Sequence, residues 1–251
     1  DDARLTLANV LDAERQGATT LNYVAFDSVL YNTDGEQVVG ARVRDAVTGE
    51  SIDVQCRHVV LAGGPWTDTF TDAPGGGHLM RPTKGVHIVV EQHRLPVDKA
   101  VVLLAPQDGR VVFTVPWANM TYVGTTDTDF DGDFDEVRAT SDDVSYLLDT
   151  VNHFFPGAKL TGSDVTGTWA GVRPLIRSDE ASTGKTSREH QRYDDPRGIT
   201  TIAGGKLTTY RSMAAEVVDA VLRWLKGTTA APKTTKCETH LRPLDPDLPQ
   251  V

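Results

Sequence analysis

Residues 201–225 read TIAGGKLTTYRSMAAEVVDAVLRWL: an apolar run, two glycines, a lysine, two threonines, then helical periodicity. Strand, glycine corner and helix in that order point to an α/β arrangement. The first turn of a helix exposes free N–H groups and the positive end of its dipole, so it attracts anions and electron-rich oxygens. Lys206 is electrostatically unfavourable at that end unless something negative faces it. An ordinary strand-to-helix turn with a solvated lysine is the competing reading. The spacing predicts a helix from Lys206 that buries Leu207, Tyr210, Met213, Val217, Val221 and Leu225.

A second stretch of the same kind lies at residues 58–70, HVVLAGGPWTDTF. Its short, continuously apolar strand runs into Gly63–Gly64 and a helix after Pro65, the pattern of a buried and often parallel position. Before it, DDARLTLANVLDAERQGAT places Leu5, Ala8, Leu11 and Arg15 at helical spacing with Gly17 as a cap. TLNYVAFDSVLYN and QVVGARVRDAVTGESIDVQC read as strands, with Thr48–Gly49 as a hairpin turn.

After it come KGVHIVVE, AVVLLA, RVVFTVPW and MTYVGTT, four strand-like runs that predict an antiparallel sheet. Residues 140–157, TSDDVSYLLDTVNHFFPG, predict a helix capped by Thr140 or Ser141 and ended by Pro156–Gly157. Its stripe is Val144, Leu147, Leu148, Val151, Phe154 and Phe155. DVTGTWAGVRPLI and GITTIAGG are further strands. Mixed α/β is therefore the expected class, with one parallel and one antiparallel sheet.

Composition bounds the function. The chain has 251 residues, 39% hydrophobic and 24% charged, which suits a globular protein with a real core. A net charge of −10 argues against nucleic acid and leaves room for a small anion held by local cations. Cys56 and Cys237 are too few and too far apart for a disulfide framework or zinc cluster. No signal-peptide pattern and no long apolar run is present, so a cytoplasmic protein is expected, with attachment to a membrane surface left open. The helical start without Met reads as a piece of a longer protein.

The acidic stretch at 127–138, DTDFDGDFDEVR, matches the first half of an EF-hand loop, but Arg138 stands where a bidentate Glu belongs. A solvated acidic loop is the expectation, with no metal site. TGKTS and GGKLT both fail as phosphate-binding P-loops, and no G-x-G-x-x-G exists. Arg173, Arg188 and Lys206 each lie at or near the end of a strand-like run. Gathered on one cleft they would clamp a phosphate or carboxylate; otherwise they are a seam arginine and two solvated cations. His87, between Val86 and Ile88, is either structural or a general base.

Taken in order, DDARLTLANV, AGGPWTD, RPTKGVHIVV, FTVPW, VGTTDTDFDGD, WAGVRPL, SREH and ITTIAGGKLTTYRSMAAEVV resemble the FAD-dependent glycerol-3-phosphate dehydrogenase family, over residues 1 to about 245. The resemblance implies part of an FAD-binding doubly wound domain plus an antiparallel substrate-capping domain. The FAD-binding domain would take residues 1–72 and 191–227, the capping domain 73–190, and a linker 228–251. It implies oxidation of sn-glycerol 3-phosphate to dihydroxyacetone phosphate, with hydride passing to flavin N5 and electrons to quinone at the membrane surface.

By the same resemblance, Arg173, Arg188 and Lys206 fall where the family binds substrate, and Gly204, Gly205, Leu207 and Thr208 where its flavin meets a helix start. Gly63 and Gly64 are further cofactor candidates, and His87 and Lys206 the catalytic ones. The family's G-x-G-x-x-G unit and its C-terminal helical extension have no counterpart in these residues. The chain by itself is therefore expected to hold FAD weakly and to be inactive. A homo-oligomer stays open. A glycerol-3-phosphate oxidase using oxygen, an amine or amino-acid oxidase, and a non-catalytic calcium- or anion-binding module are the competing functions.

Overall fold

The computed structural model describes residues 2–71, 78–177 and 189–227. The chain divides into two units, one of Asp1–Ala62 with His190–Val251, the other of Gly63–Glu189. In chain order the elements are α1 (Asp2–Arg15), β1 (Val24–Tyr31), β2 (Val38–Asp45), β3 (Ser51–Gln55), β4 (Val59–Leu61) and α2 (Thr67–Phe70). Next are β5 (Met80–Glu91), β6 (Val101–Leu104), β7 (Val111–Trp117), β8 (Met120–Gly124), β9 (Thr128–Asp129) and α3 (Ser141–Phe154). The last are β10 (Val165–Ile176), β11 (His190–Asp195), β12 (Ile199–Gly204) and α4 (Tyr210–Lys226).

In the first unit, β1, β2 and β3 form an antiparallel meander, closed between β2 and β3 by a turn in which Gly49 has φ 80°. A second sheet has the order β11-β12-β4, with β12 parallel to β4 and antiparallel to β11. The apolar runs of β4 and β12 thus pair in parallel, as their continuous hydrophobicity requires of buried strands. β11 is the strand that the sequence pattern conceals. Its residues HQRYDD carry no apolar alternation, and the strand exists because β12 offers it an edge.

Two details of the helices correct the sequence expectation. Lys206 is extended, Leu207–Thr209 make a 3-10 turn, and α4 begins only at Tyr210. Leu207, ahead of the stripe, is consequently exposed, while Val217 and Ala220 are the buried positions of α4. In α3, Phe154 is exposed; the chain leaves the helix at Phe155, which packs on the core instead.

The second unit is built on a six-stranded sheet of order β10-β5-β8-β7-β6, with β9 paired to β5. All its pairings are antiparallel. α3 lies on one face, started by a capping box in which Thr140 and Asp143 exchange side-chain-to-backbone hydrogen bonds. Ile88, Val90, Val112, Val123, Leu147 and Val151 meet there with no exposed surface. Among the described residues no helix is long and apolar enough to cross a membrane.

Candidate active site

Successive side chains of a strand point to opposite faces, so the register fixes what shares a face. On β5, Val86, Ile88 and Val90 are fully buried, and Ile88 and Val90 belong to the cluster that α3 covers. Gly85, His87 and Val89 therefore point the other way. Across the sheet, Trp169, His87, Gly124, Phe113 and Val102 stand directly opposite one another on β10, β5, β8, β7 and β6. This open face carries large apolar groups at the surface, with Trp169 43% and Val102 59% exposed.

His87 stands second in that row, between Trp169 and Gly124. Its ring stacks on Trp169, with centroids 4.9 Å apart and planes 17° from parallel. Its other neighbour is the bare backbone of Gly124, where an added Cβ would run into the ring. Trp169 is held in turn by the edge of Tyr122, at 4.9 Å and 90°, and Tyr122 stacks with Trp117 at 6.3 Å. Burial pushes the His87 pKa below its ordinary value, and the positive charge of Arg173 pushes it further the same way. At neutral pH the imidazole is uncharged and able to accept a proton.

Arg173 reaches back over β5 and lies on Gly85, whose missing side chain leaves room for the guanidinium. Its Nη2 donates to Thr125 Oγ1 at 2.8 Å, and its Nη1 faces Asp127 Oδ1 at 3.3 Å. Both partners belong to the segment leaving β8, and that segment is itself pinned. Thr126 Oγ1 accepts from Val86 N at 3.0 Å and donates to Asp143 Oδ1 at 3.3 Å. Asp143 Oδ2 receives the buried Lys84 Nζ at 2.6 Å and the Thr140 hydroxyl at 2.7 Å. Burial raises the Asp143 pKa, but the bonds from Lys84 and Thr140 and the Lys84 charge together hold it below the ordinary carboxylate value.

The acidic stretch divides by function. Asp127 is buried against Arg173, and Asp129 forms a bidentate pair with Arg81 at 2.7 and 2.9 Å, which lowers its pKa. Asp131, Asp133 and Asp135 are exposed. Among the described residues no group of three or more His, Cys, Asp or Glu is placed to hold a metal ion.

The glycine corner of residues 201–225 lies in the first unit. Gly204 and Gly205 have φ 70° and 90°, which only glycine adopts without strain. No side-chain cap comes from Lys206 to the 3-10 turn or from Thr209 to α4. Lys206, Leu207 and Thr208 are exposed. Gly205 also has an internal reason to be glycine, because a Cβ there would press on the Met213 thioether at 2.5 Å. In the second unit, Gly64 has φ 54° and open space where its Cβ would be, whereas a Cβ on Gly63 would meet the Phe70 ring at 3.0 Å.

Of the residues singled out in the sequence, His87 and Arg173 share the open face of one sheet. Gly63 and Gly64 lie on the same unit; Gly204, Gly205, Lys206, Leu207 and Thr208 lie on the other. Arg188 lies outside the described residues. Trp169, Gly124, Gly85, Thr125 and Asp127 were not visible as site residues. Only strand register, and a separation of 46 positions between Arg173 and Asp127, brings them together.

Comparison with known proteins adds the following. The family described as FAD dependent oxidoreductase (DAO) matches residues 1–211. Aerobic glycerol-3-phosphate dehydrogenase from Staphylococcus haemolyticus is 40% identical over 90% of the chain, and that from Staphylococcus aureus 39% identical over 94%. The chain covers 41% and 43% of those relatives, so it spans less than half their length. A solved structure of glycerol-3-phosphate dehydrogenase from Bacillus halodurans, complexed with FAD, is similar with a TM-score of 0.78 and 38% identity, over 93% of this chain and 45% of that one. Glycine oxidase from Bacillus cereus shares the fold at a TM-score of 0.58 and 15% identity, over 87% of this chain and 54% of that one.

Proposed function

The chain belongs to the FAD dependent oxidoreductase family, and from that premise we propose that it forms part of an enzyme oxidising sn-glycerol 3-phosphate to dihydroxyacetone phosphate. The observation that carries this reading is the pairing, on one sheet face, of an uncharged His87 with an oriented Arg173. A proton acceptor beside a planar cation suits a phosphorylated alcohol. A guanidinium fits phosphate and carboxylate alike, so the choice of phosphate is taken from the similarity to glycerol-3-phosphate dehydrogenases.

The residues present fit FAD at the glycine corner. Two left-handed glycines lead into an uncapped helical start whose backbone is free to meet electron-rich oxygens. Gly204, Gly205, Leu207 and Thr208 are assigned that contact. When bound, the flavin supplies acceptance of a hydride at N5 from C2 of the substrate.

The chain's own residues supply position and proton handling. Arg173, oriented by Thr125 and Asp127, binds the phosphate, and Arg188 is a second cation for the substrate by the family resemblance alone. His87 takes the proton of the C2 hydroxyl. A quinone would be the acceptor of the electrons.

The complete protein carrying this chain, loaded with FAD, tests the reading. Dye reduction is expected with glycerol 3-phosphate and not with glycine or sarcosine, and no peroxide should accumulate under air. Turnover of either amine overturns the substrate assignment, and stoichiometric peroxide overturns the acceptor.

A further inference from the structure

A histidine that accepts protons is ordinarily held by a hydrogen bond from its second ring nitrogen to a carboxylate or carbonyl, which fixes ring plane and tautomer. His87 lacks that device: among the described residues neither of its ring nitrogens has a hydrogen-bond partner. What it has is a sandwich. The Trp169 indole covers the ring at 4.9 Å and 17°, and the Gly124 backbone stands on another side with no room for a Cβ. Both neighbours come from register, since Trp169, His87 and Gly124 are directly opposite on three adjacent strands.

The indole is not a passive surface residue. Tyr122 meets it edge-on at 4.9 Å, and Trp117 stacks on Tyr122 at 6.3 Å, so three aromatic rings on three strands set the plane against which His87 rests. Core packing does not require them, because the dry cluster of this unit lies on the opposite face of the sheet, under α3. Rings at the surface that pack on one another and end on an imidazole are placed for that imidazole.

We propose that Trp169 and Gly124 are positioning residues for His87, holding the imidazole by stacking and by a vacant Cβ position in place of a hydrogen-bonded partner. The proposal rests on the assignment of His87 as the proton acceptor for its catalytic consequence, but its geometric content stands separately. Stacking fixes the ring plane while leaving both nitrogens free, one to accept the substrate proton and the other to exchange it with water. Gly124 sets how far the ring leans over β8. Its φ lies outside the left-handed region, and the atoms nearest an added Cβ are those of the His87 ring, so an alanine there presses first on that ring.

The test uses the complete FAD-loaded protein with histidine ring carbons labelled, the His87 signal being identified by its loss in His87→Gln. A ring lying on an indole face has its protons shielded. Trp169→Leu and Gly124→Ala are each expected to move the His87 ring signals away from the shielded position. They should also lower kcat for glycerol 3-phosphate by about 10- to 100-fold, the scale of a displaced reacting group, with KM within about twofold. Trp169→Phe, which restores a ring, should recover most of both. His87 signals unmoved by Trp169→Leu, or a wild-type kcat in that variant, would overturn the proposal. If the wild-type protein fails to turn over glycerol 3-phosphate, the substrate reading falls while the ring signals alone still decide whether Trp169 positions His87.

Discussion

The two faces of the six-stranded sheet are made by the same strands one residue apart, and they are chemically opposite. Val86, Ile88 and Val90 are fully buried, Ile88 and Val90 in the cluster under α3, while His87, between them, stacks on Trp169, which Tyr122 meets in turn, and feels the charge of Arg173. The covered face is aliphatic and closed. The open face is aromatic, exposed and holds the titratable group whose charge state suits it for proton transfer. Period-two alternation thus lets one strand carry stability and chemistry at once, and it implies that mutations on adjacent residues should fail in different ways.

The largest stability effect belongs to the ion pair on the covered side. Lys84 and Asp143 have side chains only 10% and 5% exposed, and Asp143 also ties down Thr126 and the start of α3. Asp143→Ala leaves Lys84 buried without its counter-charge and should cost about 3–5 kcal/mol in urea unfolding. The pH dependence follows from the lowered pKa of Asp143. Its contribution is fully present above the unfolded carboxylate value and is lost as pH falls through the lower folded value, so Asp143→Asn should flatten the acid side of the stability curve.

A smaller contrast sharpens the comparison. Leu147 of α3 is completely buried, and Leu147→Ala should destabilise by about 2–5 kcal/mol. Val102 is 59% exposed on the open face, and Val102→Ala should change stability by less than about 0.5 kcal/mol. Equal losses from the two sites would mean that the open face is packed as tightly as the covered one.

The covered face was legible in the sequence because its signals are local. Alternation in residues 84–91 and 110–117 gave the strands, and Thr140 or Ser141 as a cap gave the start of α3, which the structure resolves to Thr140 with Asp143. The apolar run into Gly63–Gly64 marked β4 as a buried, parallel-type strand, and its pairing with β12 came from the fold. The open face was half legible. His87 and Arg173 stand out as a histidine and an arginine in apolar strands, but their partners do not. Asp127 reads as one acid in an acidic loop until folding buries it against Arg173. Gly85 and Gly124 read as weak points of strands until the side chains lying on them are seen. β11 was missed because a polar edge strand owes its existence to its neighbour, and Leu207 was misplaced because a 3-10 turn shifts the helical stripe.

If the open face is the one that meets substrate, its planar cation should decide how tightly a phosphorylated alcohol binds. Arg173→Lys, in the complete FAD-loaded protein, keeps the charge and removes the fork that Thr125 and Asp127 orient. A charged hydrogen bond worth about 1.5–3 kcal/mol corresponds to roughly a 10- to 150-fold change. KM for glycerol 3-phosphate should therefore rise by about that factor while the thermal midpoint stays close to wild type. An unchanged KM in a fully folded Arg173→Lys protein would remove this face from substrate binding.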